Sequence, residues 1–263
     1  MKPVSRALYA VFFVALLFGS GVGFLLAERG VSMVENPADA WNAAFFMGYI
    51  LAATAVLLLV LKFYSGKLLF TLLELVLEFF TLQIVAGLFL DDFYSLVAAL
   101  VWVGLRLAFP VARSFFLGTG AVVVGALLGS SLDLIPCLAL AVLLAVYDYY
   151  AVFKTKHMVK LAEALHKRGA AFAITVRAGK QWIQLGTGDL VVPVALVVSV
   201  LKESIIGGLF VFAGAMLGMT VLVWLLDQRK GYWPALPPIV GGLVVGLVAW
   251  FLVNPLVLKL VGA

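Results

Sequence analysis

Long apolar runs broken by short polar punctuation dominate the chain. Nine of them approach the ~17–25 residues needed to cross a bilayer core. They are Ala7–Ala27, Ala43–Leu61, Leu68–Leu90, Phe93–Phe109, Ser114–Leu132, Leu134–Phe153, Gln184–Leu201, Ile205–Leu226 and Pro237–Leu258. The fourth is short, and only Asp133 separates the fifth from the sixth. No ten-residue alternation of the barrel kind appears, so the need to satisfy backbone groups in lipid predicts helices. The first run is long enough to span and does not read as a cleavable signal peptide. The pattern predicts an all-α polytopic membrane protein with nine transmembrane helices. It forms one domain over residues 1–263, with a polar loop at about 154–183.

Composition strengthens this picture. Of 263 residues, 65% are hydrophobic and only 12% are charged, with a mean hydropathy of +1.19. Soluble domains are about 25% charged, so this chain has no room for a sizeable soluble domain. The net charge of +5 would suit nucleic acid, but the charges are placed otherwise. With loops numbered alternately, one side holds Lys2, Arg6, Lys62, Lys67, Arg106, Arg113 and the basic residues of 154–183, with Arg229 and Lys230. The other side has only Arg29, Lys202 and Lys259, among Glu28, Glu35, Asp39, Asp91, Asp92, Asp133 and Glu203. The positive-inside rule then predicts a cytoplasmic N-terminus and an outside C-terminus in a multi-pass protein of the cell membrane. The basic surplus is topological, and no nucleic-acid partner is expected. Cys137, the single cysteine, allows no internal disulfide.

Against that apolar background two acids stand out. Asp189 lies in "QLGTGDLVVP" and Asp148 in "AVYDYYAVF". A carboxylate at the bilayer centre costs roughly 2.5–3.5 kcal/mol on insertion scales, so each needs a reason. The sixth and seventh runs are antiparallel, and helix rise puts Asp148 ~9 Å and Asp189 ~7–8 Å below the same surface. No base lies within either helix core, which argues against a structural ion pair. Paired-acid hydrolysis and proton or cation transport both fit such a pair. Gly186 and Gly188 clear side chains beside Asp189, and Pro193 lacks the N–H that would bond the Asp189 carbonyl. Pro234, Pro237 and Pro238 leave backbone groups unpaired at the same depth. Unwound backbone beside paired acids suits a site that grips an extended peptide.

Tyr147-Asp148, Gly186-Thr187-Gly188-Asp189 and Pro234-Ala235-Leu236 resemble the YD, GxGD and PAL motifs of the presenilin and signal peptide peptidase family. These are intramembrane aspartyl proteases that carry the motifs on helices six, seven and nine, the spans assigned here. "VFKTKHM" after the sixth run is similar to archaeal members. The resemblance implies that Asp148 and Asp189 are the catalytic pair, and that Pro234, Ala235 and Leu236 shape the rim. Tyr147, Gly186, Thr187 and Gly188 would flank the substrate. Its implied substrates are transmembrane proteins or peptides in the lipid bilayer. Thr187 replaces the commoner leucine, which bears on preference beside the scissile bond. The short 154–183 loop lacks the insert that eukaryotic presenilins cleave, so self-maturation is not expected.

The chemistry follows from two carboxylates sharing a site, which hold one proton between them. The ionised partner draws a proton from water, which attacks the scissile carbonyl, while the other donates to the carbonyl oxygen. No cofactor or metal is expected: His157 and His166 both lie in the loop, and neither HExxH nor GxSG occurs. "KHMVKLAEALHKR" (Lys156–Arg168) reads either as an amphipathic helix on the anionic leaflet or as a plain connector. "AFAITV" (Ala171–Val176) alternates like a short strand whose edge an unwound substrate could join. Glu74 and Glu78 share one helix face, with Arg106 a candidate partner for Glu74. Gly214/Gly218 and Gly242/Gly246 are small-xxx-small pairs suited to close helix packing. Tyr149, Tyr150 and Trp182 read as interface anchors.

Overall fold

The computed structural model describes residues 3–64, 66, 68–154, 173–178, 181–228 and 233–261. Among them the apolar runs become α1 (Pro3–Glu28), α2 (Trp41–Phe63), α3 (Leu68–Gly87), α4 (Asp92–Ala108) and α5 (Arg113–Ser131). There follow α6 (Leu134–Tyr149), α7 (Gly188–Leu201), α8 (Ile205–Gln228) and α9 (Leu236–Val261). Strands β1 (Ala173–Ala178) and β2 (Gln181–Gly186) form an antiparallel hairpin between α6 and α7. Among the described residues, seven helices are long and apolar enough to cross a membrane. At 17 and 14 residues, α4 and α7 fall short of that length.

Local chemistry sets the ends. Gly30, at φ 67°, closes α1: its N–H bonds the Ala27 carbonyl, and that of Val31 reaches Leu26. This is a Schellman ending, which needs the left-handed conformation that glycine adopts freely. Asp133 is the extended residue that starts α6, its carbonyl accepting from Cys137 N–H. At its other end α6 widens into a π-helical turn, Tyr150–Lys154, instead of continuing as α-helix to Phe153.

The seventh run needs correction. It was expected to be helical from Gln184, but Gln184, Leu185 and Gly186 belong to β2, and helix begins only at Gly188. The reason is pairing: Ile174 sits opposite Leu185 and Ala173 opposite Gly186, so the ladder already claims these backbone groups. The expected strand is present over its described part, 173–176, and runs on to Ala178. Residues 171–172, the Lys156–Arg168 segment and both histidines lie outside the described residues.

Short as it is, α7 forms the core. Leu190 and every residue from Val192 to Val200 are buried, and a helix that is apolar all round belongs inside a protein. It packs against α1, α5, α6, α8 and α9. Glycines let two neighbours approach: a Cβ on Gly19 would fall 2.6 Å from Val194, and one on Gly125 2.6 Å from the Val191 carbonyl. One turn on, Gly23 meets Val198 and Gly129 meets Ala195, so α1, α5 and α7 run parallel. Gly214 faces Gly242 and Gly246, while Gly218 faces Pro238, so α8 and α9 run antiparallel in close contact. The small-xxx-small pairs thus pack backbone on backbone.

A buried charge cluster ties α3, α4 and α5 together. Arg106 reaches Glu74 at 3.3 Å and Glu78 at 3.4 Å, and Arg113 forms a two-nitrogen contact with Glu74. Both glutamates are fully buried and Arg106 nearly so. The expected Glu74–Arg106 pair is therefore part of a four-residue cluster.

Candidate active site

Asp148 stands one residue before the end of α6, and Asp189 in the first turn of α7. The two helices pack together, and the carboxylates lie near enough to act on each other electrostatically. Both side chains are partly buried. Among the described residues no cation forms an ion pair with either acid.

Backbone groups hold each acid. Asp148 Oδ2 accepts the Leu236 N–H at 3.2 Å, with the Ala235 N–H as a second backbone partner. Pro234 and Pro237 cannot donate, and α9 starts only at Leu236, so these N–H groups have no preceding helical turn to bond. They turn to the carboxylate instead. Pro234, Ala235 and Leu236 are all buried. An aromatic chain supports this segment from α6: Tyr149 meets Phe153 edge-on, and Phe153 meets Trp233 at 5.5 Å.

Asp189 Oδ2 accepts the Gly186 N–H at 3.1 Å, so the last strand residue and first helical turn form one bonded loop. A Cβ on Gly186 would lie 3.0 Å from that same oxygen. Gly188 differs from expectation: it is exposed, and a Cβ there would meet nothing within 4 Å. Thr187 precedes α7, its carbonyl accepting from Leu190 and Val191. The Tyr147 hydroxyl bonds Thr54 of α2 and lies near enough to Asp148 to act on it electrostatically. Thr54 and the Leu236 and Gly186 amides had no sequence signal, because each pairing joins distant parts of the chain or depends on a turn.

Tyr149 and Tyr150 are exposed, as interface anchors would be; the Trp182 side chain lies outside what is described. A cavity of about 860 Å³ opens between α1, α3, α4 and α5. Its lining is mostly apolar and includes Ile174 of β1 and Leu190, the neighbour of Asp189. Neither acid lines it, but an apolar space bordered by the hairpin can hold a hydrophobic segment. No group of three or more potential metal ligands occurs among the described residues.

Comparison with known proteins bears on the family and the fold. The profile of the family "signal-peptide peptidase, presenilin aspartyl protease" matches residues 9–176, a stretch that includes Asp148 and stops short of Asp189. A crystal structure of a presenilin family intramembrane aspartate protease, in space group P2, superposes with a TM-score of 0.70 at 25% identity. The match covers 92% of this chain and 96% of that one. A second structure of a presenilin family intramembrane aspartate protease, in space group C222, gives a TM-score of 0.65 at 25% identity over 90% and 94% of the two chains. No curated protein matches the sequence. With the profile covering more than half the sequence and the fold shared almost end to end, the chain belongs to the signal-peptide peptidase and presenilin family of aspartyl proteases.

Proposed function

We propose that Asp148 and Asp189 are the catalytic pair of an intramembrane aspartyl endopeptidase that hydrolyses peptide bonds within or next to transmembrane segments. The observation that carries this reading is the paired placement of the two acids, each oriented by a backbone N–H. One shared proton makes one acid the base and the other the acid. The base draws a proton from water as its oxygen attacks the scissile carbonyl, and the acid protonates the carbonyl oxygen. The resulting diol collapses with proton return to the amine, releasing two peptides. Family membership favours hydrolysis over the transporter alternative.

In this reading Pro234, Ala235 and Leu236 form the rim and hold Asp148, while Gly186, Thr187 and Gly188 border the bound backbone. Tyr147 orients the end of α6 through Thr54. The outer edge of the hairpin receives an unwound substrate strand. All nine helices span, the whole of 1–263 acts as one protease domain, and the N-terminus faces the cytoplasm of the cell membrane. The parallel course of α1, α5 and α7 supports that alternation.

The test is purified protein with a transmembrane-segment peptide, cleavage read by mass, and an aspartyl transition-state inhibitor. Asp148→Ala and Asp189→Ala are each expected to abolish cleavage without loss of fold, as an insertion cost is relieved. Substantial turnover in either variant overturns the assignment.

A further inference from the structure

At the end of the bundle away from the acids, Lys202 follows the last residue of α7 and Asp133 precedes the first residue of α6. The Lys202 ammonium reaches Asp133 Oδ1 at 2.9 Å, the Leu132 carbonyl at 2.9 Å and the Ser130 carbonyl at 3.3 Å. An ammonium has three donors, and here three acceptors meet them. Its side chain is only 14% exposed. One turn deeper, Cys137 of α6 is hydrogen-bonded with Ser199 of α7. The Asp133 N–H is itself held by the Pro37 carbonyl, so the start of α6 is anchored on two sides.

We infer that Lys202, with Asp133 as its partner, is a positioning residue that sets the axial register of the two helices carrying the acids. Helix rise places Asp148 about 22 Å from Asp133 along α6, and Asp189 about 20 Å from Lys202 along α7. Helices are stiff along their axes, so a slip at the latched end reaches the acids almost undiminished. The ends bearing the acids are poorly suited to define register themselves. There α6 passes into a π-helical turn, and Pro193 removes a hydrogen bond from α7 next to Asp189. The register is held where both helices are regular and the side chains are bonded. A misplacement of about 1 Å in a reacting group can cost about 100-fold in rate, so a modest slip is enough to matter.

This inference rests on Asp148 and Asp189 being the reacting pair, and its test separates the two claims. Full-length Lys202→Met, Lys202→Arg and Asp133→Asn are purified, checked for monodispersity and assayed for kcat and KM on one transmembrane peptide. Asp148→Asn and Asp189→Asn are run beside them. Lys202→Met is expected to lower kcat about 10- to 100-fold with KM within about twofold. Lys202→Arg, which keeps the charge and several donors, recovers most of the loss. Asp133→Asn, which keeps the two carbonyl bonds of Lys202, gives a smaller drop in kcat. Full kcat in Lys202→Met, a loss confined to KM, or an arginine variant as impaired as methionine overturns the latch. If Lys202→Met does not fold, Asp133→Asn decides, and an unchanged kcat there overturns it. Persistent turnover in the two asparagine variants at the acids would instead sink the dyad reading.

Discussion

At Gly186 a single methyl group would press on a reacting carboxylate. Its Cβ position lies 3.0 Å from Asp189 Oδ2, the oxygen that its own N–H holds at 3.1 Å. Gly186→Ala must therefore shift the carboxylate or lose the bond, and kcat is expected to fall about 100-fold with the fold intact. Wild-type kcat in that variant would show that Asp189 tolerates displacement. Activity should also describe a bell in pH, because the reactive dyad carries one proton: too acid and no base remains, too alkaline and no acid remains. A flat profile across the acid and alkaline range would exclude the shared proton. At this scale the sequence was informative where chemistry demands a residue type. Two acids in apolar runs, glycine beside one and prolines opposite the other were all legible. Lys202 was legible only as a charge on the sparse side, because the carbonyls it binds carry no side-chain signature. Gly188 misled for the converse reason: glycine marks an opportunity for close approach, and no neighbour uses it here.

Elements were legible as apolar runs, and their edges were not. "QLG" (Gln184–Gly186) joins the seventh run by its neighbours' hydropathy, since an apolar stretch does not tell a strand's end from a helix's start. Backbone pairing with β1 decides the matter. Ile174 and Leu185 are both buried in that pairing, so Ile174→Pro should break the ladder and cut turnover while helical circular dichroism stays unchanged. Unchanged turnover in that variant would remove the strand from the mechanism. The α3–α4–α5 cluster was half legible: Glu74 and Arg106 stood out as charges at similar depth, whereas Arg113 read as a loop cation. Removing Arg106 would leave Glu78 buried without its guanidinium, an uncompensated charge costing about 3–5 kcal/mol. Arg106→Leu is therefore expected to unfold in detergent at markedly lower temperature than wild type. An equal melting temperature would mean that the cluster contributes little to stability.

For the whole molecule, charge and geometry together bear on which way it faces. The end that holds Asp148 and Asp189 also receives the start of α1 and α5 and the ends of α2 and α4, with Arg6, Arg113, Lys62 and Arg106. The opposite end carries Glu28, Asp91, Asp92, Asp133 and Glu203 against Arg29 and Lys202, and Lys202 is neutralised by Asp133. That asymmetry could be drawn from sequence because it needs only the count of crossings. In the proposed nine-crossing arrangement α7 has only 14 residues, too few for about 30 Å of hydrocarbon at 1.5 Å each. A helix enclosed by α1, α5, α6, α8 and α9 meets little lipid, so its length is set by its neighbours, and hydropathy windows that ask for a full span pass it over. In the proposed orientation, which follows the positive-inside rule, the acids lie near the cytoplasmic face. A substrate strand that adds antiparallel to the hairpin edge would come from a segment with its N-terminus outside. Reporter fusions after residue 230 and at residue 263 should therefore report cytoplasm and exterior respectively. Peptides anchored with the N-terminus outside should be cleaved faster than the same segment reversed. An exterior signal after residue 230 with a cytoplasmic one at residue 263 would mean that the molecule faces the other way, and the preferred substrate orientation would reverse.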